Sequence, residues 1–92
     1  MSKLVTLSYL MVSKDKLPYL KSTAKKLIDH KRDNEEILIA DGASTDGTRE
    51  YLETLKREGK IENFISERDY GISHALNKLT LMAKGELTTI LT

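Results

Sequence analysis

The chain has 92 residues, of which 39% are hydrophobic and 32% are charged, and its formal net charge is +1. This length suits one small domain, and the near-neutral charge excludes the basic field that nucleic-acid binding requires. The absence of cysteine excludes disulfides, thiolate metal sites and cysteine nucleophiles, and it is consistent with a cytoplasmic location. The N-terminal apolar run is too short for a membrane span and lacks a cleavage site, so we expect no signal peptide.

Apolar periodicity predicts strands and helices in alternation along the whole chain. Strands are predicted at 4–12, 36–40, 61–66 and 86–91, and helices at 18–30, 45–58 and 72–84. Pro18 suits a helix start, and Gly59 suits the position just after a helix end. The order β-α-β-α-β-α-β predicts an α/β fold of the Rossmann-like three-layer type, with a mostly parallel four-stranded sheet between helices.

The segment from Glu36 to Tyr51 is the most informative part of the chain. A short apolar run predicts a strand buried on both faces, and Asp41 follows it directly. Ligands of open parallel sheets bind at this carboxyl edge, where an acid can accept hydrogen bonds from sugar hydroxyls or from the N–H edge of a base. Residues 44–46 can cap the next helix. The alternative is a simple turn and a capped helix without a ligand.

Three strand-to-helix loops, at 13–16, 41–45 and 67–71, are expected along this one edge. Each loop carries an acid, namely Asp15, Asp41 and Asp69. The collection indicates a binding crevice, although Asp69 can also serve only as a helix cap. The histidines are not assigned a catalytic role. Dinucleotide, P-loop and nucleophile-elbow motifs are absent from the sequence.

Three segments resemble the signatures of family 2 glycosyltransferases. Residues 37–48, ILIADGASTDGT, resemble the motif I-V-D-G-x-S-T-D-G-T. Residues 65–78 are similar to S-E-x-D-x-G-I-x-x-A-x-N-K, and residues 83–86 are similar to A-x-G-E. Residues 12–16, VSKDK, fit a variant of the family's first loop. The segments follow the family's order and spacing and cover nearly the whole chain.

The resemblance implies the GT-A fold with the sheet order 3-2-1-4. It implies that residues 1–92 form a single domain, the N-terminal part that binds a nucleotide-sugar donor of the UDP- or GDP-sugar type. The full enzyme would transfer the sugar to an acceptor in glycan or polysaccharide synthesis. The expected nucleotide-binding residues are Ser13, Asp15, Lys16, Asp41, Ser44, Asp69, Gly71 and Asn77.

In the family, a D-x-D metal motif directly follows the strand that matches residues 87–91. The resemblance therefore implies a divalent cation, Mg²⁺ or Mn²⁺, for the full-length enzyme and none held by this fragment alone. The catalytic residues stay unassigned. We expect weak nucleotide binding without transfer, and a full-length enzyme that can associate with a membrane.

Two readings of other classes stay open. One is a non-catalytic flavodoxin-like or receiver-like α/β domain, against which the first loop offers only one acid, Asp15. The other is an interaction module without ligand activity. In the family-like strand order 3-2-1-4, the fourth strand flanks the first and its outer edge is expected to be open, so we predict dimerisation or aggregation through residues 86–91, or a mobile final strand.

Overall fold

The computed structural model describes residues 5–68 and 71–91. The elements are β1 (Leu7–Ser13), α1 (Leu17–His30), β2 (Glu35–Asp41), α2 (Thr48–Arg57), β3 (Asn63–Ser66), α3 (Ile72–Met82) and β4 (Leu87–Leu91). All three strand pairs are parallel, and the sheet order is β3-β2-β1-β4. The predicted fold class, element order and strand order are therefore confirmed.

Two apolar clusters cover the two faces of the sheet. Strand side chains alternate between faces, so Met11, Ile37 and Ile39 point to one side and pack with residues of α1 and α2. Leu10, Leu38 and Ala40 point to the other side and pack with Ala75 and Leu79 of α3. This arrangement gives the expected three layers, and it explains why the apolar run in β2 is continuous rather than alternating.

Several element boundaries differ from the prediction. Helix α2 begins at Thr48 rather than at residue 45, because Gly47, at φ 94°, takes a left-handed turn directly before it. Strand β3 begins at Asn63 rather than at residue 61. Just before it, the Glu62 carboxylate accepts the Ile37 backbone N–H at 2.7 Å and so replaces a backbone carbonyl of the strand ladder.

Strand β4 is covered far less than the other strands. Leu87 is 69% exposed and Ile90 is 52% exposed. The register pairs Leu87 with Leu7 and Ile90 with Leu10, so the two side chains lie on opposite faces of the sheet. Both faces of β4 therefore present apolar surface.

Among the described residues, no helix has the length and apolar character needed to cross a bilayer.

Candidate functional site

The carboxyl ends of β1, β2 and β3 form one continuous edge of the sheet. We call this edge the rim and define it by residues 13–16, 41–47 and 66–68. Asp41 is the register partner of Ser13 on one side and of Ser66 on the other. These three side chains therefore form a lateral row on the sheet face that carries α1 and α2. The expectation that the first two loops meet at one edge is confirmed by this register.

Asp41 lies at the centre of the row, and its side chain is almost completely buried. The residue is 1% exposed. Its carboxylate accepts the Ser44 backbone N–H at 3.2 Å from each oxygen, the Ser44 hydroxyl at Oδ1, and the Ser66 hydroxyl at 2.8 Å from Oδ2. A carboxylate offers about four acceptor positions. Three donor groups of the chain thus engage both oxygens of Asp41.

Hydrogen bonds between the first two loops continue from Asp41. Ser44 Oγ, which donates to Asp41, accepts the backbone N–H of Asp15 at 2.7 Å. Asp15 Oδ1 in turn accepts the backbone N–H of Thr45 at 2.9 Å. Asp15 has a left-handed backbone, with φ 49°, which is uncommon for a residue other than glycine. The exchange of hydrogen bonds in both directions accounts for the retention of that conformation.

Asp46 makes a second connection between the same loops. Its Oδ2 accepts the backbone N–H of Leu17, the first residue of α1, at 3.0 Å. Its Oδ1 accepts the Thr48 hydroxyl at 2.5 Å and the Thr48 N–H at 3.3 Å. The hydrogen bond from the Thr48 hydroxyl has the largest effect and lowers the pKa of Asp46 below its usual value. Desolvation opposes it with a smaller effect, and the Leu17 and Thr48 N–H groups lower the pKa further. The carboxylate therefore satisfies donors at the start of both helices.

Ser13 differs from the other hydroxyl groups of the row. The residue is 6% exposed, and its Oγ is buried without a hydrogen-bond partner among the described residues. Its backbone carbonyl accepts the Gly42 N–H at 3.0 Å, so the β1 and β2 ends stay paired at this point. Buried hydroxyls usually have partners, so the unsatisfied Ser13 hydroxyl is an exception at this edge of the sheet.

Of the remaining predicted site residues that the structure describes, Lys16 belongs to the rim, whereas Gly71 and Asn77 lie outside it. Lys16 is exposed and precedes α1. Gly71 is exposed at φ 120° and precedes α3, and Asn77 is exposed within α3. Asp69 lies outside the described residues. In the third loop, Lys78 Nζ contacts Glu67 Oε1 at 2.5 Å, and the Glu67 N–H binds the Asp41 carbonyl at 3.0 Å.

Comparison with known proteins identifies the family. The sequence model described as "Glycosyl transferase family 2" matches residues 8–92. The chain belongs to glycosyl transferase family 2. This membership confirms the resemblance seen in the three sequence segments and decides against the flavodoxin-like or receiver-like alternative. No curated protein matches the chain.

A solved structure gives the same fold for this glycosyl transferase domain. It is the mannosyltransferase PcManGT from Pyrobaculum calidifontis in complex with GDP-Man and Mn²⁺, with a TM-score of 0.76 and 24% sequence identity. The match covers 91% of this chain and 26% of PcManGT, so the chain spans about a quarter of that protein's length. The likeness establishes the GT-A type of fold.

A groove also lies in the outer helical layer of this glycosyl transferase domain. It has a volume of about 510 Å³ and runs between α1 and α2, with Lys25, Ile28 and Thr54 among its lining residues. At its side, Lys21 Nζ lies 5.5 Å from the centroid of the Tyr51 ring. Burial raises the pKa of Tyr51. Of the predicted nucleotide-binding residues that the structure describes, none lines this groove.

Proposed function

We propose that this family 2 domain binds the nucleotide part of a nucleotide-diphospho-sugar donor at the rim. It would form the donor-binding part of an enzyme that transfers the sugar to an acceptor in glycan or polysaccharide synthesis. The proposal rests on the buried Ser13 hydroxyl, which has no partner in the described part of the chain and lies at the edge where parallel α/β sheets bind ligands. Family membership supports the same choice.

In this proposal, residues 1–92 form a single domain. The proposed nucleotide-binding residues are Ser13, Asp15, Lys16, Asp41, Ser44, Asp69, Gly71 and Asn77. Support is strongest where hydrogen bonds connect Asp15, Ser44 and Asp41 into one unit. Lys16 is exposed beside that unit, where an ammonium group can approach a diphosphate. Gly71 is exposed and has no side chain, so a ligand can come close to the chain at this position.

Chemical-shift mapping with UDP and GDP tests the proposal. We expect amide resonances of residues 13–16 and 41–47 to move in a saturable way, while those of Lys25, Ile28 and Thr54 in the helical groove stay fixed. A matched pair of variants sharpens the result. Lys16→Gln should weaken binding of the diphosphates more than binding of uridine, and Lys25→Gln in the groove should change neither. Shifts confined to the groove, or no shifts with either nucleotide, would contradict the proposal.

The acids of the rim do not fit a divalent metal ion. Asp41 accepts hydrogen bonds at both oxygens, while Asp15 and Asp46 each accept backbone N–H groups. Among residues 5–68 and 71–91, no three His, Asp or Glu side chains are grouped closely enough to hold a metal. We therefore propose that the Mg²⁺ or Mn²⁺ ion of the complete reaction is held by other residues, and that the isolated chain binds nucleotide without transferring sugar.

A second proposal concerns the open strand β4. We propose that two copies of this chain associate through β4, because its apolar side chains are exposed on both faces and an unpaired edge can extend a sheet. Analytical ultracentrifugation should show a dimer that Ile90→Lys converts to a monomer, whereas Thr80→Lys on the exposed surface of α3 should not. A wild-type monomer at all concentrations would exclude this association.

A third proposal concerns the cellular location of the domain. We place the domain in the cytoplasm, since the chain carries no cysteine and suits a reducing compartment. Localisation of the tagged protein in cells by fractionation tests this, and recovery with the secreted fraction would contradict it.

A further inference from the structure

Two buried polar side chains of the rim, Asp41 and Ser13, differ in whether they have hydrogen-bond partners among the described residues. The carboxylate of Asp41 is 1% exposed and accepts hydrogen bonds from Ser44 and Ser66 at both of its oxygens. Its neighbour in the row, Ser13, is also buried, but its hydroxyl has no partner in the described chain. The most acidic group of the row and the group available to a ligand are therefore different residues.

We propose that the Ser13 hydroxyl makes the direct hydrogen bond to the base of the bound nucleotide, and that Asp41 is a positioning residue. Asp41 orients the Ser44 hydroxyl, which accepts the Asp15 N–H and so holds the first loop against the second. This inference rests on the proposed nucleotide-binding function and assigns separate roles to two of its residues.

The division of roles has a consequence for base specificity. A carboxylate only accepts hydrogen bonds, so direct contact with Asp41 would favour a base that presents an N–H donor, as uracil does at N3. Cytosine presents an acceptor at the same position. A hydroxyl group can donate or accept, so contact through Ser13 suits both bases. We therefore expect UDP and CDP to bind with affinities within a few-fold of each other.

Binding of UDP and CDP to the wild-type chain and three variants tests the inference. Ser13→Ala should weaken both nucleotides by about three- to tenfold, the usual effect of losing one hydrogen bond. Asp41→Asn should leave the UDP-to-CDP ratio unchanged, because the residue does not touch the base. The matched control is Ser8→Ala, which removes a buried hydroxyl from the other end of β1 and should leave both affinities of the folded protein unchanged.

The positioning role of Asp41 has its own measurement. Asp41→Ala should speed amide exchange at Asp15 and Thr45, whose N–H groups take part in the cross-loop hydrogen bonds, and it should weaken UDP and CDP equally. Asp41→Asn retains an acceptor for Ser44 and should restore slow exchange at both amides. If the alanine variant does not fold, the asparagine variant still reports the base ratio.

Different failures lead to different conclusions. If the wild-type chain binds none of UDP, CDP and GDP, the proposed function itself is wrong. If it binds GDP but neither UDP nor CDP, the proposed function stands and the role of Ser13 in binding both pyrimidine bases is overturned. If it binds UDP and Ser13→Ala does not change the affinity, nucleotide binding stands and the role of Ser13 is overturned. A strong preference for UDP that Asp41→Asn reverses in favour of CDP would show that Asp41 contacts the base directly, which also overturns the inference.

Discussion

Strand β2 carries a buried carboxylate near each end, and the two ends differ in what surrounds the acid. Glu36, near the amino end, is 4% exposed, and Asp41, at the carboxyl end, is 1% exposed. Each accepts a hydrogen bond from a serine of a neighbouring strand, Ser8 for Glu36 and Ser66 for Asp41. Burial and hydroxyl partners therefore do not distinguish a structural acid from one at a binding site.

The two ends of β2 differ in the hydrogen bonding of the nearby serine of β1, which is Ser8 at the amino end and Ser13 at the carboxyl end. At the amino end, Glu36 Oε2 accepts the Ser8 hydroxyl and the Lys84 N–H, both at 2.6 Å, and Ser8 Oγ accepts the Gly85 N–H at 2.9 Å. The Ser8 hydroxyl thus both donates and accepts. At the carboxyl end, the Ser13 hydroxyl has no partner within residues 5–68 and 71–91. The comparison indicates that the amino end connects β4 to the sheet, while the carboxyl end leaves one buried hydroxyl without a partner among the described residues.

Removal of the Glu36 carboxylate should have the largest effect on stability. Glu36→Ala leaves the Ser8 hydroxyl and the Lys84 N–H without their shared acceptor in a buried place. We expect the free energy of unfolding to fall by about 3 kcal/mol, because hydrogen bonds to charged groups contribute more than neutral ones. Urea denaturation measures this loss.

The matched control at this position is Glu36→Gln, which keeps an acceptor oxygen and should lose about 1 kcal/mol. Nucleotide affinity of the folded fraction should be the same in both variants. A change in affinity as large as that of Ser13→Ala would show that the amino end also affects ligand binding, and the distinction between the two ends would be lost.

Substitution of Gly85 should have the next largest effect. An added Cβ would lie 2.6 Å from Ser8 Oγ, 2.7 Å from Ser8 N and 2.9 Å from the Leu7 carbonyl carbon. Two of these atoms belong to the backbone of β1 and cannot move aside easily. We expect Gly85→Ala to lower the free energy of unfolding by about 2 kcal/mol through overpacking, again with unchanged nucleotide affinity.

Gly59→Ala serves as the comparison for Gly85→Ala. A Cβ there would have no heavy atom within 4 Å, so only the strain of φ +76° remains, and we expect a loss of about 1 kcal/mol. If Gly85→Ala proves harmless while Gly59→Ala does not, the close approach of the turn before β4 to β1 is wrong.

The sequence was sufficient for the fold because its signals are local. The apolar run in β2 predicted a strand buried on both faces, and the helical spacing of apolar residues predicted the three helices. Parallel order followed from the alternation of strands and helices. The strand order 3-2-1-4 came from the family resemblance, whose A-x-G-E segment is explained by the contact of Gly85 with Ser8.

The roles of the site residues were harder to predict, because they depend on partners distant in the sequence. Asp46 was expected to cap the helix that follows it, but its carboxylate also accepts the N–H of Leu17, 29 positions away. Asp15 was expected at a crevice, where it accepts the N–H of Thr45. The internal satisfaction of Asp41 depends on Ser66 as well as Ser44. No spacing rule within one loop encodes such pairs.

The smallest expected effect on stability is that of the Asp46 carboxylate, whose contribution depends on pH. Asp46 lies on the rim, so this prediction extends the comparison to that part of the molecule. Hydrogen bonds lower the folded-state pKa of Asp46, so the ionised carboxylate stabilises the folded chain. That contribution is complete above the unfolded-state pKa of about 3.9 and is lost as the pH falls through the lower folded-state pKa. Asp46→Asn should therefore reduce stability at neutral pH and flatten the acid limb of the stability profile.

The position of Asp46 decides how this result bears on the two ends of β2. Because its partners are Leu17 and Thr48 at the starts of α1 and α2, the loss should appear as faster amide exchange at those two residues. The Lys84 and Gly85 amides at the amino end should be unaffected, and Glu53→Gln on the outer surface of α2 should leave the acid limb unchanged. Equal acceleration at both ends would mean that the sheet responds as one unit, and the two carboxylates of β2 could not then be assigned separate functions.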